Sequence, residues 1–248
     1  HANPEELETL MAKYRQIYDL GVRSFAIFFD DVLPLLSTPI DLETYDHIAE
    51  AEADLTNRVH AELMKWDPDI RLAYCPRQYW GWTPTRYIEI LHENLLPGIE
   101  IGWTGRQISS KKIPLEDARE FEKAWGRPPA IGDNCSPFGP ITRRGPDLYK
   151  AVDSYINNPY AFADDHEAQL SKFVNSSVAD YAWNPESYDP ERSITVAAMR
   201  IAPDPGDYPE FLFMLSLNGM QVRSGLMSEI RRAVRLFEKG AAGPNDIL

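Results

Sequence analysis

Short apolar runs alternate with amphipathic stretches through most of this chain. The first run, Ser24-Phe25-Ala26-Ile27-Phe28-Phe29, lies in a segment 22–29 that reads as a buried parallel strand and stops on two adjacent carboxylates, Asp30 and Asp31. Before it, Asn3 is placed to cap a helix with Pro4 at its first position. Leu7, Leu10, Tyr14 and Tyr18 carry that helix along one face to a stop at Gly21. A long helix over 42–65 follows, with Ile48, Ala51, Leu55, Val59 and Leu63 on one stripe. Further strands are expected at 70–74, 99–103, 129–131 and 177–182. Helices are expected at 84–95, 115–125, 146–155 and 161–173.

Repeated strand–helix units of this kind imply a parallel sheet with helices on its faces, and about five are countable where a closed barrel has eight. Beyond residue 185 the pattern stays helical. Pro203-Asp204-Pro205-Gly206-Asp207 reads as a linker, so residues 1–202 are expected to form a partial (β/α) barrel domain and 203–248 a helical C-terminal segment.

The chain has 248 residues, 44% hydrophobic and 25% charged, which suits a globular protein with a sizeable core. Its formal net charge of −13 argues against nucleic acid or an anionic membrane surface as a partner and fits a neutral ligand better. Cys75 and Cys135 are too few for a disulfide framework. No Cys-x-x-Cys or histidine-rich cluster suggests a metal, and Gly98-Ile99-Glu100-Ile101-Gly102 lies within a strand rather than a phosphate-binding loop, so no cofactor is expected. No apolar stretch approaches the roughly 20 residues that span a bilayer. No signal peptide is visible and the chain opens on His1 rather than Met, so compartment is left unassigned.

Active sites of parallel α/β folds gather at the C-terminal ends of the strands. There the expected strands place Asp30 and Asp31, then Gln78, Tyr79, Trp80 and Trp82, then Trp103, Thr104 and Gly105, then Asp133 and Asn134, and finally Tyr181, Trp183 and Asn184. Adjacent carboxylates repel, and a pair with one acid protonated and the other charged is what glycoside hydrolysis and related acid/base chemistry use. Amides bridge hydroxyls and indole faces stack on sugar C–H surfaces, so the set suits a neutral, hydroxyl-rich ligand. Each Trp alone also fits core packing; the recurrence at strand ends is the signal. Gly-x-Ser-x-Gly is absent, so no nucleophile elbow is present.

Read together, these segments resemble the family 84 glycoside hydrolases, the O-GlcNAcase-like β-N-acetylglucosaminidases. Arg23 to Asp31 is similar to the family's catalytic strand, and Cys75-Pro76-Arg77-Gln78-Tyr79 to its Cys-Pro-x-x-Tyr segment. Leu96-Pro97-Gly98-Ile99-Glu100 with Trp103-Thr104-Gly105, Asp133-Asn134, Asn158-Pro159 and the run Ala179 to Pro185 follow in the family's order. The resemblance covers roughly residues 1–190 and implies a (β/α)₈ barrel, represented here by about strands 4–8. It also implies a retaining, substrate-assisted mechanism on glycans or glycoproteins that carry N-acetylglucosamine.

By that resemblance, Asp30 accepts the acetamido N–H and steadies the oxazolinium charge, while Asp31 is general acid and then general base. Tyr79, Asn134 and Asn158 hold the N-acetyl group and neighbouring polar atoms, and Trp183 lines the pocket. The chain departs from the family at Gly132, where an aromatic residue is usual, and at Gly139, where the family carries an Asp that binds sugar hydroxyls. Losing a charge-assisted contact of that type costs about 1.5–3 kcal/mol. Two alternatives therefore stand beside catalysis on N-acetylglucosamine: a carbohydrate-binding module without turnover, and a glycosidase for a different N-acylated sugar. The barrel strands that precede residue 1 in the family are expected from the rest of the same polypeptide.

Overall fold

The computed structural model describes residues 1–134, 140–158 and 165–201. The expected helical segment 203–248, Cys135, Gly139 and the first residues of the helix expected at 161–173 lie outside them. The chain divides into two units. The first comprises residues 1–134 and 143–156; the described part of the second comprises 140–142, 157, 158 and 165–201.

Helix α1 spans Pro4–Asp19, with Asn3 accepting a hydrogen bond from the Glu5 amide at 3.0 Å. Strand β1, Ser24–Phe28, leads through a loop to α2, Pro39–Thr44, and α3, Ile48–Trp66. The single helix expected at 42–65 is thus two. Thr38 caps the first, Tyr45 is extended, and a capping box between His47 and Glu50 starts the second. Then come β2 (Arg71–Cys75), α4 (Arg86–Asn94), β3 (Ile99–Trp103), α5 (Leu115–Trp125) and β4 (Pro129–Asp133). These match the remaining sequence expectations to within a few residues.

The chain departs from expectation after β4. Residues 146–155 do not form a helix: a four-residue 3-10 turn, Leu148–Ala151, leads into β5, Ser154–Asn157. The Asp153 amide donates to the Pro129 carbonyl at 2.9 Å, which draws this segment to the edge of β4. The strand expected at 177–182 is instead the end of helix α6, Asp165–Trp183, followed by α7, Pro190–Ile201. Among the described side chains of α6, Val174, Ser177 and Tyr181 are buried, at the three- and four-residue spacing of a helix face.

The sheet order is β1-β2-β3-β4-β5, and the registers of β1 with β2, β2 with β3 and β3 with β4 are parallel. Each strand is laid beside its predecessor with no reversal of order. A doubly wound fold would reverse at a switch point, so this is the curled parallel sheet of a half-barrel. One face of the strands, with Phe25, Ile27, Leu72, Tyr74, Ile99, Ile101, Trp103 and Ile131, forms the core with the helices. On the opposite, concave face the small or polar Ala26, Ala73, Glu100, Gly102 and Ala130 fall by register, beside the exposed Phe28 at the end of β1. Among the described residues no helix is long and apolar enough to cross a membrane.

Candidate active site

The ladder between β1 and β2 runs one residue beyond the strand, with the Phe29 amide donating to the Cys75 carbonyl at 3.0 Å. Phe29 is buried and packs on Tyr74 at 5.6 Å between ring centroids. The Val32 amide then donates back to the Phe29 carbonyl at 3.3 Å, closing a turn whose two central residues are Asp30 and Asp31. Asp30 is half-buried and Asp31 exposed, so two chemically identical side chains meet different surroundings. By strand alternation Asp30 continues the concave face of Ala26 and Phe28.

The loop after β2 brings Tyr79 to this pair. Its carbonyl accepts from the Thr104 amide at 2.8 Å and from Thr104 Oγ1 at 3.2 Å. Gly81 turns the loop in the left-handed region, at φ +67°, which a side chain would strain. Its amide donates to the Gly105 carbonyl at 2.8 Å, and its own carbonyl accepts from Trp103 Nε1 at 2.8 Å. The loops after β2 and β3 are thereby locked to one another. Burial, then the charge of Asp30, the Cys75 thiol and Asp31, raise the Tyr79 phenol above its ordinary range, which keeps it a neutral hydrogen-bond donor. Burial, followed by the charges of Asp30 and Asp31, pushes the Cys75 thiol up to about 12. Asp30, Asp31, Cys75 and Tyr79 thus form one electrostatic group.

The other strand-end residues divide by role. Trp103 is buried, packing against Trp82 at 6.1 Å and Phe121 at 5.0 Å, while Arg106 lies 4.8 Å over Trp82. Both Trp residues are core. Trp80 is exposed and makes an edge contact with Tyr79 at 5.1 Å. Gln78 is occupied within its own loop, accepting from Thr85 Oγ1 at 2.9 Å. Asp133 is 1% exposed and takes two hydrogen bonds from Arg144, at 2.7 and 2.5 Å, and one from the Tyr155 hydroxyl. It braces the end of β4 rather than facing a ligand. Its neighbour Asn134 donates to the Ile108 carbonyl at 2.7 Å. At Gly132 a Cβ would find nothing nearer than Thr104 Cγ2 at 3.8 Å, an ordinary van der Waals contact, so the start of a side chain is uncrowded there.

Two residues that the sequence singles out belong to the second unit. Asn158 is exposed and directly follows β5, as the half-buried Asn134 follows β4. Trp183 is 91% exposed and closes helix α6; it follows no strand, and neither do Tyr181 and Asn184. Tyr181 is buried against Tyr188, at 5.4 Å between rings. Among the described residues no cluster of three or more His, Cys, Asp or Glu side chains could hold a metal ion.

Sequence reasoning passed over Glu52 and Arg77. Glu52 is fully buried, accepting from Tyr74 at 2.8 Å, Tyr87 at 2.5 Å and Arg77 Nε at 2.5 Å. The signal was a glutamate four residues after Ile48 and seven before Val59, on the apolar stripe of its helix, where a charge demands an internal partner.

The family described as NAGidase, beta-N-acetylglucosaminidase, matches residues 1–215. This chain belongs to that family. Two curated members, the Protein O-GlcNAcase of Rattus norvegicus and that of Mus musculus, are each 33% identical to it over 173 residues. The match covers 64% of this chain and 18% of each relative, so the chain spans only a small part of the relatives' length. A mutant O-GlcNAc hydrolase of Thermobaculum terrenum superposes with a TM-score of 0.77 at 26% identity, over 95% of this chain and 53% of that one. The structure of CpGH84B superposes with a TM-score of 0.69 at 25% identity, over 96% and 43%. The resemblance to the family 84 glycoside hydrolases is therefore borne out, and the half-barrel of β1–β5 is that of a β-N-acetylglucosaminidase family member.

Proposed function

We propose that the protein containing this chain is a retaining β-N-acetylglucosaminidase that acts on glycans or glycoproteins and uses the substrate's own acetamide as nucleophile. The supporting observation is the turn that presents Asp30 and Asp31 side by side, one half-buried and one exposed, with Tyr79 in the same electrostatic group. Asp30 accepts the acetamido N–H while the acetamido oxygen attacks the anomeric carbon, and it steadies the positive charge of the oxazolinium. Asp31 gives its proton to the leaving glycosidic oxygen as that C–O bond breaks. It then takes a proton from the water that reopens the oxazoline at the same carbon, so configuration is retained. Tyr79 donates to the N-acetyl group, and Asn134 holds polar atoms around it. The remaining barrel strands come from the rest of the same polypeptide, in keeping with the 53% of the Thermobaculum structure that this chain matches.

The uncrowded position at Gly132 favours a second reading, in which the pocket takes a bulkier N-acyl group than acetyl. The test is turnover of aryl N-acyl-β-glucosaminides by the full-length protein and its Asp30→Asn and Asp31→Asn variants. We expect each variant to lose about 100-fold or more in kcat, with Asp31→Asn losing most on poor leaving groups. Undiminished turnover in both variants rules out this mechanism. Binding of the sugar without any turnover by the parent protein would instead identify a carbohydrate-binding module.

A further inference from the structure

Arg77 joins three pieces of the first unit that are far apart in sequence. Its Nε donates to Glu52 Oε1 at 2.5 Å, and its Nη1 donates to the carbonyl of Val32. Val32 is the last residue of the Asp30–Asp31 turn, and its amide closes that turn on Phe29. The turn is therefore pinned at its first residue by the ladder to Cys75 and at its last by Arg77.

The far end of the tether is rigid. Glu52 is 0% exposed on α3, and the hydroxyls of Tyr74 on β2 and Tyr87 on α4 hold its other oxygen at 2.8 and 2.5 Å. The Tyr87 hydroxyl also accepts the Arg77 amide at 3.0 Å, which fixes the backbone from which the guanidinium extends. Nη2 of Arg77 is buried with no hydrogen-bond partner among the described residues. A buried donor left unmade costs stability, so the fold bears a local penalty to keep the guanidinium aimed at Glu52 and Val32.

We infer that Arg77, anchored by Glu52, is a positioning residue that fixes the Asp30–Asp31 turn, so that the two carboxylates keep the separation and aim their chemistry needs. This inference rests on the proposed catalytic role of that pair. Lysine could not replace Arg77, since one ammonium on a flexible stem does not present two fixed donors to Glu52 and to Val32 at once. Displacing a reacting group by about 1 Å lowers rates on the order of 100-fold without weakening binding of the rest of the substrate.

Arg77→Met alone strands the buried Glu52 and is open to misfolding, so the deciding variant is the double Arg77→Met/Glu52→Gln. It removes the tether and the charge together and leaves Tyr74 and Tyr87 an amide oxygen to bond. In the full-length protein we expect this variant to melt within a few degrees of the parent and to keep KM for an aryl N-acetyl-β-glucosaminide within about threefold. Its kcat is expected to fall about 10–100-fold. The loss is expected to grow as the leaving group becomes poorer, a dependence that a merely structural defect would not show. The Val32 amide is expected to exchange its proton with deuterium faster than in the parent. A folded double variant with the parent's kcat overturns the inference and leaves the proposed function standing. A parent that never turns over overturns the proposed function, and exchange then decides the rest: unchanged protection of the Val32 amide would show that Arg77 does not hold the turn.

Discussion

Cys75 ends β2 one ladder step from Phe29, and its thiol is pushed up to about 12 by burial and by the charges of Asp30 and Asp31. Reactivity belongs to the thiolate, so this cysteine is expected to resist iodoacetamide at pH 8 in the folded protein and to react once denatured. Mass spectrometry of the peptide that contains it checks this. Rapid labelling in the native state would mean that the carboxylates do not surround Cys75 as described. The same surroundings raise the Tyr79 phenol, so it remains a hydrogen-bond donor through neutral pH. That Asp30 and Asp31 end a strand was legible in the sequence, because an apolar run stops on them. That they occupy the two central positions of a turn closed by Val32 was not, since that closure depends on backbone geometry.

The ends of the strands are held by charged braces that periodicity does not reveal. Asp133 was legible as a residue at the end of β4, yet its partner Arg144 comes from a later segment that folds back over the sheet. Both side chains are almost fully buried, at 1% and 4% exposure. Arg144→Met would leave a buried carboxylate facing only the Tyr155 hydroxyl, and is expected to cost about 3–5 kcal/mol of stability. Chemical denaturation of the variant measures this, and adding Asp133→Asn is expected to recover part of the loss. A change within about 0.5 kcal/mol would show that the brace contributes nothing net. Two elements depart from the sequence expectation, each for its own reason. The stretch 146–155 has the polar spacing of a helix but lies beside the free edge of β4, and the Asp153 amide to Pro129 carbonyl bond draws it into a strand. Residues 177–182 have the pattern of a strand yet end helix α6, because a short apolar run looks alike in a helix and in a strand.

For the whole molecule, the acids raised by burial predict how stability changes in alkali. Cys75 ordinarily loses its proton at 9.0 and Tyr45 at 10.0, and in the folded chain both are held to about 12. Burial comes first for Tyr45 too, with its hydrogen bond to Asp54 second. Burial and the nearby Glu52 carboxylate also raise the phenols of Tyr74 and Tyr87. Between pH 9 and 12 the folded state therefore binds more protons than the unfolded one, and stability falls as pH rises through that window. Thermal melting is expected to be level from neutral pH to about 9 and then to drop steadily. A flat melting temperature up to pH 11 would contradict the buried placement of these groups.

The sequence by itself determined the strand–helix alternation, four of the five strand positions and the carboxylate pair at the first strand end. Each of these is written in local hydrophobic periodicity and in cap or turn residues. Only the tertiary structure decided that β5 lies at Ser154–Asn157, and that Asp133 is a brace while Asp30 and Asp31 sit in a pinned turn. Those outcomes rest on hydrogen bonds and ion pairs between residues distant in the chain, such as Arg77 with Glu52 and Val32. Local spacing carries no information about which distant partner a buried charge will find.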